Sequence, residues 1–99
     1  MTILNITIIQ DDIEKGKPRD PFNDPIALAA RREIEAQGIE CTVQSGVSYI
    51  FFTRPDTKVK AIFLPEKALE FMRCFDDGLS EYIKPFTFII EIPDSFLII

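Results

Sequence analysis

The sequence predicts an α+β domain: a mainly antiparallel sheet of four to five strands, with two longer helices packed on one of its faces. Three observations lead there. Asn23-Asp24-Pro25-Ile26-Ala27-Leu28-Ala29-Ala30 sets capping side chains, a helix-starting proline and strong helix formers in one unbroken order. Between Ile39 and Phe63, three β-prone runs are divided only by the turn signals Ser45-Gly46 and Arg54-Pro55-Asp56-Thr57, which describes a meander. Gly38 and Gly78 each follow an apolar stripe of helical period, where a glycine ends a helix.

The first element is the run 3–9, whose β-branched residues alternate with Asn5 and Thr7 on one face and Leu4, Ile6 and Ile8 on the other. Residues 10–16 place acids early and a glycine last, the signature of a short helix. Residues 17–22 hold two prolines and form a loop. The main helix covers 25–37, with Ile26, Ala30 and Ile34 on its buried stripe, small alanines for close approach to a sheet, and Arg31, Arg32, Glu33 and Glu35 facing water.

Strands are expected at 39–44, 47–53 and 58–63, the first two joined by a two-residue hairpin at Ser45-Gly46. Pro65 opens a second helix with Ala68, Leu69, Met72 and Phe75 facing the core and Phe71 beside them. After Pro85 the run 86–92 is a strand with Phe86, Phe88, Ile90 and Ile92 on one face, and Pro93 ends it. Ser95-Phe96-Leu97-Ile98-Ile99 is an apolar tail that needs cover. It is expected to extend the sheet or to cross a homodimer interface.

At 99 residues the chain is a single domain over 1–99, with room for one core but not for a core plus a deep substrate cleft. Its 46% hydrophobic content and nine Phe supply that core. A net charge of −5 opposes phosphate backbones, so no nucleic-acid partner is expected. Arg31, Arg32, Arg54, Lys58 and Lys60 are read as solvated faces rather than a basic patch, since no aromatic residues interleave them as a stacking platform.

Cys41 and Cys74 stand far apart without a Cys-x-x-Cys pair, and the chain has no histidine, so neither zinc nor any other metal or cofactor is expected. Both thiols read as reduced core residues of a cytoplasmic protein. The N-terminal run lacks the basic region and cleavage site of a signal peptide, and no apolar run approaches the roughly 20 residues that span a bilayer.

Catalytic signatures are equally sparse. Without histidine the usual neutral-pH base is missing, and no Gly-x-Ser-x-Gly, P-loop or dinucleotide fingerprint occurs. No catalytic residue is assigned, and the expectation is a protein that is not an enzyme. Asp11-Asp12 reads as compensation of a helix dipole. Asp76-Asp77 lies at a helix C-terminus, where negative charge is disfavoured, and is therefore either a partner contact or a solvated pair screened by Arg73 and Lys84. Tyr49, Phe51 and Phe52 crowd one strand, so at least one ring points away from the core unless both sheet faces are covered.

The segments Ile6-Thr7-Ile8-Ile9-Gln10-Asp11-Asp12-Ile13-Glu14-Lys15-Gly16, Pro25-Ile26-Ala27-Leu28-Ala29, Phe71 through Phe75-Asp76-Asp77-Gly78 and Pro85-Phe86-Thr87-Phe88 carry a resemblance. Together they resemble small hypothetical proteins of bacteriophages and their bacterial hosts. Such proteins often carry Cys directly before Pro-Ile-Ala, where this chain has Asp24, so any chemistry of that thiol is absent here. The resemblance implies an accessory factor that binds and inhibits a host protein in the bacterial cytoplasm. The expected contacts are Asp76, Asp77, Tyr49, Phe52, Phe96 and Leu97, and the alternative is a self-assembling homo-oligomer.

Overall fold

A computed structural model describes residues 1–56, 58–79 and 83–97. The order is β1 (Thr2–Ile8), α1 (Gln10–Lys15), α2 (Pro25–Ala36), β2 (Thr42–Ser45), β3 (Tyr49–Thr53), β4 (Val59–Phe63), α3 (Glu66–Asp76), β5 (Phe86–Ile92) and α4 (Asp94–Leu97). The fold is α+β and every strand pairing among the described residues is antiparallel. The strands form two sheets, β1–β5 and β2–β3–β4, rather than one sheet of four to five strands. Both α1 and α2 intervene between β1 and β2, and α2 packs against each of them. The first strand instead closes with the last, Leu4 opposite Ile90 and Ile6 opposite Phe88. The two sheets approach each other along β4 and β5.

The two longer helices begin and end where local chemistry directs. Asp24 caps α2 by accepting the Ala27 N–H at 2.8 Å, and Pro25 occupies the first turn. Ile26, Ala27, Ala29, Ala30 and Ile34 are buried, so the small residues do bring α2 close to the strands beneath. Gly38 and Gly78 follow α2 and α3 with φ of +78° and +75°, left-handed backbone that favours glycine. Phe71 of α3 meets Phe86 of β5 at 5.1 Å between ring centroids, and Lys67 caps that contact with its ammonium 5.4 Å from the Phe86 ring.

The expected tail geometry is corrected. Pro93 cannot continue the β5 ladder, and Asp94–Leu97 turns at once into a single helical turn whose Phe96 enters the chain's own core. Thr2 donates to Asp94 at 2.7 Å, and the Arg54 guanidinium donates to the Phe96 carbonyl at 3.0 Å while lying 6.0 Å from its ring. Phe96 is thus a core residue rather than a sheet extension or a dimer contact, and Leu97 packs half-buried against the same core. Ile98 and Ile99 lie outside the described residues.

Arg32, expected to face water, closes a clamp. Its guanidinium donates to both Asp12 oxygens at 2.8 Å and to the Thr7 carbonyl at 2.8 Å, tying α2 to α1 and to the end of β1. Burial of Asp12 works to raise its pKa, but the Arg32 hydrogen bonds, the Ile9 N–H and the Arg32 charge outweigh it and hold the carboxyl below its usual range. Arg31 and Arg32 line a separate cleft with Asp11, Asp12 and Lys15, whereas Arg54, Lys58 and Lys60 flank the β3–β4 turn. Arg32→Ala leaves a buried carboxylate without its cation and is expected to cost about 2 kcal/mol, against less than about 0.5 for Arg31→Ala. Equilibrium urea denaturation checks this, and equal midpoints for the two variants would contradict it.

Candidate functional site

Two surfaces stand out, and β3 helps to build both. Period-2 alternation sends Ile50 and Phe52 inward, both fully buried, and turns Tyr49, Phe51 and Thr53 outward. Phe52 is therefore corrected from a partner contact to a core residue, because it points to the buried side of the sheet, where α2 packs on β2. The register sets Tyr49 opposite Phe63, Phe51 opposite Ala61 and Thr53 opposite Val59, while β2 adds Thr42 and Gln44 to the same face. None of these eight side chains carries a charge. Tyr49 and Phe63 rings lie 4.3 Å apart and Phe51 joins at 6.0 Å, yet Phe63 remains 69% and Val59 60% exposed.

The hairpin that feeds this face departs from the expected Ser45-Gly46 turn. Ser45 pairs with Ile50 inside the ladder, and the turn spans residues 46–48, with the Gly46 N–H donating to the Tyr49 carbonyl. A side chain at residue 46 would come within 3.0 Å of the Phe51 ring, so glycine here lets the ring lie over the turn. Val47 stands exposed at the tip. The shift of turn also places Ser45 at the inner end of β2, buried and aimed at the start of α2.

There Ser45 donates its hydroxyl to Asp24. These two residues lie in a cleft of about 520 Å³, walled by Arg19, Asp20 and Pro21 of the loop, by residues 46–48, and by Leu69, Met72, Arg73 and Asp76 of α3. A cleft of this size was not expected from the chain length. Leu69 and Met72, expected in the core, line it half-buried, and the buried stripe of α3 is centred on Ala68, Phe71 and Phe75. Arg19 has φ +59°, left-handed backbone uncommon outside glycine, and its N–H donates to Asp76 at 3.0 Å across the mouth.

Asp24 is almost entirely removed from water, and that burial pushes its pKa up from 3.8 to about 6. The Ser45 hydroxyl and the Ala27 N–H favour the anion and limit the rise, while the nearby Asp76 charge adds to it. The pair can thus hold or release one proton at mildly acid pH behind an open cleft. Asp76, expected as a partner contact, belongs to this rim; Asp77 is exposed just beyond α3 and makes no part of the sheet face. Cys41 is buried and Cys74 half-buried, both as free thiols, and burial pushes the Cys41 thiol up. Among the described residues no cluster of His, Cys, Asp or Glu could hold a metal ion, and no helix is long and apolar enough to cross a membrane.

The cleft could not be read from sequence, since its walls come from three segments far apart in the chain. Asp24, singled out as a cap candidate beside Asn23, and Asp76, singled out as a candidate partner contact, both lie in it.

Because the folded-state pKa of about 6 exceeds the ordinary 3.8, the folded protein keeps a proton that the unfolded chain has released between those values. The contribution of Asp24 to stability is full below about pH 3.8 and is lost as pH rises through 6, a change of about 3 kcal/mol for a shift from 3.8 to about 6. Asp24→Asn keeps a capping oxygen and cannot ionise. The stability difference between wild type and Asp24→Asn, from urea melts across pH 4–7, is expected to shift by roughly this amount in favour of the variant. A pH-independent difference would contradict the assignment.

The chain matches no protein-family model, no curated protein and no solved structure, so the functional reading rests on this geometry.

Proposed function

We propose that the chain is a small non-enzymatic protein-binding module whose docking face is the outer face of β2–β3–β4. The single observation that carries this is the uncharged, aromatic face itself, set in a chain where 27% of residues are charged. Monomeric proteins rarely leave contiguous apolar surface in water, and aromatic rings are the usual anchors of interfaces. The partner presents an apolar, uncharged protein surface, since a charged one would be desolvated here without a counter-charge. The net charge of −5, with Asp77 among its exposed contributors, disfavours acidic partners at longer range.

The resemblance to phage-borne proteins supports a host protein as that partner, blocked by occupancy of its surface in the bacterial cytoplasm. Phe96 is already covered within the chain, so it offers no anchor for self-assembly.

A photo-crosslinking residue in place of Phe63 or Val59 tests the face in bacterial cells, with Ile89 on the outer face of the β1–β5 sheet as control. Adducts to one protein from positions 63 and 59, absent from 89, are expected. Phe63→Ala should then weaken binding to that protein about 30-fold, the cost of a central aromatic anchor. Adducts of equal yield at all three positions, or adducts containing only a second copy of the chain, would overturn the proposal.

A further inference from the structure

We propose that the cleft between the 19–24 loop, the β2–β3 turn and α3 binds a small organic anion with an apolar body, held between the guanidinium groups of Arg19 and Arg73. The hydrogen-bond balance of the cleft points to the sign of the ligand. Each of its carboxyl groups already accepts at least one hydrogen bond: Asp20 takes the Phe22 N–H and the Asn23 amide, Asp24 takes the Ala27 N–H and the Ser45 hydroxyl, and one oxygen of Asp76 takes the Arg19 N–H. Its strongest donors are not engaged. Neither the Arg19 nor the Arg73 guanidinium has an acceptor or an ion-pair partner among the described residues, and each offers five N–H groups in a planar fork. An ammonium ligand would meet carboxyl groups that already hold hydrogen-bond donors. A carboxylate or phosphate meets guanidiniums that give up only water.

The walls set the rest of the ligand. Leu69, Met72, Pro21 and Val47 provide an apolar lining, and about 520 Å³ falls within the range of small-molecule sites. The left-handed backbone at Arg19 is held by its N–H bond to Asp76, which fixes one guanidinium-bearing residue at the mouth opposite α3. An outlier held in this way is where a binding role is to be sought. The groups that share the cleft with Asp24 are Arg19 and Asp20 from the loop, Asp76 and Arg73 from α3, and the uncharged Ser45 and Ser48 from the hairpin, Asp76 being the charge that acts on Asp24 directly. An anion in their midst disfavours a second negative charge on Asp24, so affinity falls as pH rises through the titration of that carboxyl.

Amide NMR titration of the full chain with phenyl phosphate and with benzoate tests this, benzyl alcohol and benzylamine serving as neutral and cationic probes of like size. Saturable shifts confined to residues 19–24, 45–48 and 69–76 are expected for an anionic probe. Response to phenyl phosphate alone assigns a phosphate monoester, and response to benzoate a carboxylate. Arg73→Gln and Arg19→Gln, both at exposed side chains, should each weaken binding about tenfold, while Arg31→Gln leaves it unchanged. Saturation by benzylamine or benzyl alcohol instead, shifts that grow linearly without saturation, or undiminished binding in Arg73→Gln would overturn the proposal.

Discussion

The hydrogen bonds of one buried carboxyl, that of Asp24, join the parts of this fold that the chain itself keeps apart. Asp24 accepts the Ala27 N–H and so starts α2; it accepts the Ser45 hydroxyl and so anchors the inner end of β2 to that start. The α2 helix in turn packs on both β1 and β2, which belong to different sheets. With α2 fixed at its first residue, the alanine-rich face meets the strands in register and the 19–24 loop is drawn against the hairpin. The cleft is the space this arrangement leaves beside α3.

Two aspartates near the ends of helices are buried, and the chain satisfies them in different ways. Asp12 receives a guanidinium that neutralises it, so burial costs little and the carboxyl stays ionised. Asp24 receives only neutral donors, and with a like charge at Asp76 nearby its anion is the disfavoured form. The first device locks a helix layer at every ordinary pH. The second leaves a group that changes charge within the acidic range, at the floor of the open cleft.

Local chemistry was legible in the sequence wherever it is decided by neighbours in the chain. A cap at Asn23 or Asp24, which the structure resolves to Asp24, the proline at 25 and the glycine stops at 38 and 78 appear as their φ preferences and hydrogen-bonding capacities require. The β-strand character of 47–53 was equally plain, but a strand has two faces and its residue types do not label them: which of Tyr49 and Phe52 faces the core depends on where the helices pack. Ser45 read as a turn residue because Ser-Gly is turn-like, while its partner stands 21 residues away at Asp24. Leu69 and Met72 fit the apolar stripe of α3, yet that stripe is wider than the core it meets. The separation into two sheets rests on the long-range pairing of β1 with β5, which no local signal announces.

The outer face of β2–β3–β4 and the cleft are placed on opposite sides of the same hairpin, and Gly46 borders both. Their common foundation is the Asp24–Ser45 contact that seats the hairpin. Carbon-13 NMR of the Asp24 carboxyl across pH 3–8 tests that foundation most directly. A midpoint of about 6, moving higher in Ser45→Ala as a donor to the anion is lost, is the result this account predicts. A midpoint at or below the ordinary 3.8, unmoved by Ser45→Ala, would contradict it.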